Sequence, residues 1–274
     1  MTASRAARTF AYVALGVYAL ISVYPFLWML SGAFKTRAEI LEGGSLIPRD
    51  PTLDTLVTTW GQLNFFDYFL NSLQVTAMTV AGVLVVYSLA SYAFATLRFP
   101  GRTVLFWFFV SLLFVPGITV LLPVVVLEKE LGILGTHLGL VLPFVNGTAP
   151  LTVLLLTNAY QAIPRELREA ARSDGASELR VYWSVYLPLA RPAHITVAVL
   201  TAVPTWNEYV LTRVSISDES LYTLPLGLES LISGEVPQYN EVMAASLIIV
   251  LPVIALFAFL QRYFVNGLVG AIKG

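Results

Sequence analysis

The chain has 274 residues, a net charge of −1, a hydrophobic fraction of 57%, a charged fraction of 12% and a mean hydropathy of +0.76. Ordinary globular domains carry about 25% charged residues, so a water-soluble fold of this composition could not cover its own surface; lipid as the solvent resolves the conflict. There is no basic excess for nucleic acid, and the absence of cysteine removes disulfides, thiolate catalysis and cysteine metal sites.

The first apolar run, 10–34, is free of charge, follows Arg5 and Arg8, and crowds Tyr24, Phe26 and Trp28 at its end. It exceeds the roughly 7–15-residue apolar core of a cleaved leader and reads as an uncleaved first span. Further charge-free runs cover 68–97, 103–127, 138–164, 192–207 and 242–261. A spanning helix needs roughly 17–25 residues; the fifth run falls just short, meets Glu208 and is extended by 209–212. The expectation is an all-α membrane protein with six transmembrane helices, over about 10–34, 71–96, 104–127, 138–161, 192–213 and 242–262, in one transmembrane domain over 1–274. Outer loops fall at 35–67 and at 214–241, the second punctuated by Pro225, Gly227, Gly234 and Pro237. Pro116, Pro123, Pro143, Pro150 and Pro252 are expected to break or kink spans.

Orientation follows the Lys/Arg distribution. With the N-terminus inside, the inner segments hold Arg5, Arg8, Arg98, Arg102, Arg165, Arg168, Arg172, Arg180, Arg191, Arg262 and Lys273. The outer segments hold Lys35, Arg37, Arg49, Lys129 and Arg213, so 11 of the 16 basic residues lie inside. Both termini are therefore expected in the cytoplasm, as six spans require.

No phosphate-cradling G-x-x-x-x-G-K-[ST], no G-x-S-x-G and no H-E-x-x-H occurs. His137 and His194 stand near expected span ends, where an interfacial imidazole is the commoner reading than a metal or acid–base role. Intramembrane carboxylates are almost absent, which argues against proton relays. The reading is of a non-enzyme whose energy source lies on another polypeptide.

The inner segment 163–191 is the most informative. Pro164 suits a first helical turn, and Glu166 and Glu169 favour the positive N-terminal end. Arg165/Glu169 and Arg168/Arg172 are spaced i,i+4, and Ala170 and Ala171 leave a low helical surface. Gly175 is suited to φ > 0 and Asp174 to a turn. Beyond them Leu179, Tyr182, Trp183 and Tyr186 recur at helical spacing, and Pro188 closes a second amphipathic helix. A hairpin that merely links two spans and a helix shaped to dock in a partner's groove fit this pattern equally well.

Glu169-Ala170-Ala171, then Gly175, then Val185 and Leu187-Pro188 resembles the cytoplasmic signature of ATP-binding-cassette (ABC) importer permeases, with Val185 where that family usually has Ile. The wider chain is similar to the carbohydrate branch, of the maltose-transporter G-subunit type. The resemblance is carried by Ser91-Tyr92-Ala93-Phe94-Ala95, by Leu97-Arg98-Phe99-Pro100-Gly101-Arg102, by Asn71-Ser72, by Trp206-Asn207-Glu208, and by the tail Val265-Asn266-Gly267-Leu268 through Lys273-Gly274.

The resemblance implies the type I ABC importer permease architecture in a bacterial inner membrane. It implies a second, non-identical permease, a dimer of ABC ATPase subunits and an extracytoplasmic solute-binding protein as partners. ATP and Mg would be held by the ATPase, with no cofactor and no metal on this chain. Glu169, Ala170, Ala171, Asp174, Gly175, Leu187 and Pro188 would couple to the ATPase, Glu169 by pairing with a basic residue of its cleft.

Trp206, Asn207 and Glu208 are candidates for the translocation path, because an ionisable residue in a span is costly and Trp206 offers a face of the kind that stacks on sugar rings. The competing reading places Glu208 at the outer interface, paired with Arg213 or the second permease. The aromatic run Phe106, Trp107, Phe108, Phe109 reads as packing or lipid-facing. Rival readings are an ABC permease for a non-sugar solute, a secondary transporter driven by an ion gradient and, weakest, a membrane-embedded enzyme.

Overall fold

Apolar runs with no water to bond to satisfy their backbones internally, and the described residues of the chain do so chiefly by helix. Its structure, a computed structural model, describes residues 5–233 and 238–272. Gly234, Pro237, Lys273 and Gly274 lie outside the described residues.

The principal helices are α1 (Arg5–Ala33), α2 (Phe65–Thr96), α3 (Arg102–Ser111), α4 (Leu121–Glu130), α5 (His137–Gln161), α6 (Arg165–Ser173), α7 (Glu178–Leu189), α8 (Arg191–Trp206), α9 (Val210–Ser215), α10 (Leu224–Ile232) and α11 (Tyr239–Ile272). By length and apolarity α1, α2, α5 and α11 can each cross a membrane. Two bent pairs complete the candidates, α3 with α4 (98°) and α7 with α8 (80°), which gives six spans if each pair counts as one.

Two departures from the sequence expectation have local causes. The third run is not one straight helix. Pro116 has no N–H and drives Val115 out of the helical region, to φ −86°, ψ 114°, and the chain turns there before a 3₁₀ turn at Gly117–Val120 leads into α4. The fifth expected span, 192–213, is not continuous either. It passes through Pro204, ends at Trp206 and restarts at Val210. Pro143 and Pro150, by contrast, lie inside an unbroken α5, and Pro252 inside α11.

The chain divides into two compact units. The first comprises 1–68 and 224–254. In it Ala33, Ala244 and Leu247 form a buried cluster covered by Met29, Phe34 and Leu56, and a methyl at Gly32 would overlap Met243, so α1 and α11 meet backbone to side chain. The expected outer loop 35–67 is tied down here. Lys35 is buried, with its ammonium over the Trp28 ring and donating to the Ser45 carbonyl, and Asn240 donates to Thr55 Oγ1 (3.3 Å). Most of α1 from Phe10 to Leu27 is exposed apolar surface that needs lipid or another chain to cover it.

The second unit, 69–223 with 255–274, holds the core on which the hairpin rests. Val83, Leu140, Val153, Leu156, Tyr160 and Val197 are buried there on α2, α5 and α8. Gly82 lets α2 close on α5: a Cβ at that position would lie 2.8 Å from Val145 Cγ2, on a stiff β-branched side chain. Gly82→Ala is expected to destabilise by about 1–3 kcal/mol through overpacking, read as a lower thermal midpoint of the detergent-purified protein. Adding Val145→Ala should recover most of the loss.

Candidate functional site

The segment between α5 and α8 forms a helical hairpin. Pro164 stands at the N-cap of α6, at φ −55° and ψ 132°, just outside the first turn that the sequence suggested. At the other end the Gly175 N–H donates to the Arg172 carbonyl and the Ala176 N–H to the Ala171 carbonyl, both at 3.0 Å. With Gly175 at φ +81° this is the Schellman stop, which a Cβ would strain. Ser177 then caps α7, its hydroxyl accepting from the Arg180 N–H.

Within α7, residues Tyr182–Tyr186 form one π turn, and the Leu187 N–H reaches back to the Tyr182 carbonyl. Pro188 does not close the helix as its chemistry suggested. It lacks the N–H that would bond Ser184, the π turn widens the coil just before it, and helix continues to Leu189. The same turn splits the expected apolar stripe. Tyr182 and Tyr186 are buried, while Leu179 and Trp183 are 62% and 60% exposed.

Glu178 fastens the two arms. Its carboxylate accepts from Arg168 Nη2 (2.6 Å) and Nε (3.3 Å) and from the Tyr92 hydroxyl (2.7 Å), with Arg172 Nε at 3.6 Å. The Arg168 fork is bidentate, which fixes geometry as well as charge. Glu169, Ala170, Asp174 and Gly175 stand exposed along α6 and its end, Ala171 is half-buried, and Leu187 and Pro188 lie half-buried and exposed at the far end of α7. Beside the hairpin is a cavity of about 1270 Å³, lined by Arg98, Phe99, Arg102, Arg165, Glu169 and Tyr186 among others.

The translocation-path candidates are adjacent in sequence but face different surroundings. Trp206 is buried and meets Phe69 edge to face at 5.7 Å. Asn207 is exposed and donates to the Val203 carbonyl (2.8 Å). Glu208 turns back on the chain: Oε1 accepts the Leu211 N–H (2.8 Å), and Oε2 accepts the Thr212 N–H (3.1 Å) and hydroxyl (3.0 Å). It thereby caps α9, a use of the carboxylate that neither sequence reading named.

Two polar features escaped the sequence reading. Glu128 is buried at the end of α4, accepting from the Ser215 hydroxyl (2.8 Å) while its other oxygen has no partner among the described residues. His194, near the start of α8, lies buried with Ser88, Tyr160 and Tyr182. The signal for Glu128 was a charge directly abutting an apolar run; His194 gave none. His137 Nε2 lies 3.2 Å from the Leu221 carbonyl. Among the described residues no three His, Asp or Glu side chains gather as a metal site would require.

Residues 88–269, which include the hairpin, match the family of binding-protein-dependent transport system inner membrane components. The chain belongs to that family. Its relatives include the galactooligosaccharides transport system permease protein GanQ of Bacillus subtilis (strain 168), 32% identical over 97% of this chain and 95% of that protein. The lactose transport system permease protein LacG of Rhizobium radiobacter is 29% identical, over 96% of this chain and 95% of that protein.

A bacterial ABC transporter chain involved in import of the acidic polysaccharide alginate superposes with a TM-score of 0.84 at 26% identity, over 96% of this chain and 99% of that one. A further chain, from an alginate transporter in complex with a pentasaccharide-bound periplasmic protein, shares the fold at 14% identity and TM-score 0.67, over 92% and 93% of the two chains. The fold is that of a type I ABC permease, and the chain is a non-catalytic, multi-pass inner-membrane subunit.

The clasp at Glu178 carries a pH dependence. Burial by itself raises this carboxyl, but the Tyr92 hydroxyl and the Arg168 guanidinium outweigh it and hold the group below its ordinary 4.5. A carboxyl depressed in the folded state stabilises fully above its unfolded value, and that contribution is lost as pH falls through the folded value. Protection of residues 165–189 against amide exchange should therefore weaken below about pH 4.5. In Glu178→Gln it should be weaker at neutral pH and flat across that acid range.

Proposed function

We propose that this chain is the transmembrane permease subunit of an ATP-driven importer for a sugar or sugar derivative. It forms half of the translocation path with a second, non-identical permease, and it couples to a dimer of ABC ATPase subunits through the Glu169–Gly175 stretch of the hairpin. A solute-binding protein delivers the sugar from outside. The observation that carries this reading is the hairpin itself. Its Glu-Ala-Ala helix projects charge and small residues from a membrane domain, in a chain matched over nearly its full length by permeases named for oligosaccharide and lactose transport. ATP shifts the spans between inward- and outward-facing states only insofar as it favours one of them, and the hairpin supplies the contact through which that preference acts.

The distribution of basic residues supports a cytoplasmic location for both termini and the hairpin. Because the chain has no native cysteine, single cysteines report topology without background. Cysteine at Ser173 should react with a membrane-impermeant thiol reagent only after the cell membrane is opened, and cysteine at Ser217 in intact spheroplasts. The reverse pattern overturns the orientation.

Of the path candidates, Asn207 is the one whose amide lies on an exposed surface, and Trp206 and Glu208 shape the break that presents it. Asn207→Ala should lower transport several-fold, on the order of one polar contact with substrate, with ATPase recovery unchanged.

Co-purification in mild detergent tests the assembly. A second permease, an ATPase and a binding protein should accompany the wild-type chain, and Glu169→Ala should reduce ATPase recovery or solute-stimulated hydrolysis by about tenfold, the equivalent of about 1.4 kcal/mol for a desolvated charge pair. A chain stable alone, with ion-gradient-driven uptake, would instead be a secondary transporter.

A further inference from the structure

A docking helix moves the spans only if it is fastened to them. The hairpin is fastened to α2 at two points one helical turn apart. Tyr92 donates its hydroxyl proton to Glu178 Oε2 at 2.7 Å, and Ser88 Oγ lies 2.7 Å from the Tyr182 hydroxyl. Ser88 and Tyr92 are spaced i,i+4 on α2, and Glu178 and Tyr182 are spaced i,i+4 on α7. The contacts are thus two rungs between matching faces of two helices.

The first rung leads outward to the docking arm, because Glu178 also holds Arg168 of α6. The second leads inward. Ser88 Oγ is 2.6 Å from the Tyr160 hydroxyl of α5 and 2.8 Å from His194 Nε2 of α8, and Tyr160 is itself 2.9 Å from that nitrogen. His194 Nδ1 lies 2.9 Å from the Ala190 carbonyl, at the 80° bend between α7 and α8. A carbonyl only accepts, so Nδ1 carries the proton, and with the ring neutral Nε2 accepts. Nε2 then accepts from Ser88 or from Tyr160, and each of the three hydroxyl protons has an acceptor within the set.

One buried serine thus joins four helices, α2, α5, α7 and α8. Apolar side chains slide past one another at little cost, whereas a closed set of directional bonds among buried groups holds one register and resists partial opening. On its other side the hairpin borders the cavity rather than packed protein. The docking arm is tied to the arm that bears the rungs by the Arg168–Glu178 pair, so the two move together.

We propose that Ser88, Tyr182 and His194 are positioning residues for transport. Their hydrogen-bonded knot converts displacement of the hairpin into displacement of the spans, and opening it leaves ATPase docking intact while hydrolysis runs without solute movement. This rests on the reading that α6 docks on an ATPase.

The test uses the assembled transporter in proteoliposomes with its binding protein, and reads three quantities: ATPase recovered with the chain, ATP hydrolysed, and solute imported per ATP. Tyr182→Phe keeps the ring and removes one hydroxyl; Ser88→Ala removes the centre of the knot; Ser88→Thr restores a hydroxyl there. In Tyr182→Phe and Ser88→Ala, ATPase recovery should match wild type while ATP used per solute rises about tenfold, in line with loss of a buried hydrogen bond. Ser88→Thr should return the ratio toward wild type.

A purely structural knot would lower yield and thermal midpoint without moving that ratio. A ratio within about twofold of wild type in both hydroxyl-deleting variants overturns the proposal, as does loss of ATPase recovery in both. Wild-type protein that recovers no ATPase fails at an earlier step, and sinks the docking reading before any variant is measured.

Discussion

In hydrocarbon a backbone N–H or C=O has only the protein to bond to, and the shape of this chain follows from how it meets that restriction. Helix meets it by default, so the informative places are where helix stops. At the 98° turn Pro116 brings no N–H to orphan, and its carbonyl accepts from the Thr119 N–H (3.0 Å) and hydroxyl (2.7 Å). At the 80° bend the Ala190 carbonyl accepts from both the N–H and the imidazole of His194. At 207–209 Glu208 supplies acceptors to the first N–H groups of α9. Each break has a side chain or a proline doing what the missing helical bond would have done.

The same restriction explains where the polar side chains inside the spans point. Ser91, Thr96, Thr205 and Ser246 all donate to the carbonyl four residues earlier on their own helix. This satisfies the hydroxyl and favours helix bending. Other polar groups reach across to another element, among them Tyr87 donating to Asn146 at 2.8 Å, Ser215 to Glu128, and the set around Ser88. They fix which face of each helix meets which neighbour, something an apolar interface specifies only loosely.

The helical class and the approximate limits of the long apolar helices were legible because apolar length is a one-dimensional property. The breaks were not, and the prolines show why. Pro116 ends a helix, with Gly117 following it, while Pro143 and Pro150 sit inside a continuous α5 packed by Leu140, Val145 and Val153. The residue is the same and the neighbours decide. The hairpin's stop was legible because the Schellman turn is local and depends on Gly175. The division of its second helix into a buried Tyr182/Tyr186 face and an exposed Leu179/Trp183 face was not, because a π turn changes the angular step on which periodicity relies. Glu208 announced itself as a costly carboxylate, yet its capping of α9 depends on a local turn of the chain that no pattern of residue types signals. The Ser88 knot was invisible for the opposite reason. Its members are up to 106 residues apart, and each alone resembles an ordinary core serine, tyrosine or histidine.

If α6 docks on an ATPase as proposed, the stiffness of the hairpin matters more to coupling than any one docking contact. Driving a two-state equilibrium from 1:99 to 99:1 takes about 5.5 kcal/mol of differential interaction. A single charge pair at Glu169, worth about tenfold, supplies only about 1.4 kcal/mol. Docking through α6 therefore has to act by displacement of a rigid body rather than by the strength of a single bond, and a lever delivers displacement only if it does not bend. The Schellman turn at Gly175 closes one end of this lever, and the bidentate Arg168–Glu178 pair braces its arms against each other. Without that brace, a push on α6 would open the hairpin at Gly175 before it moved α2, and the free energy of ATP binding would be spent in the loop.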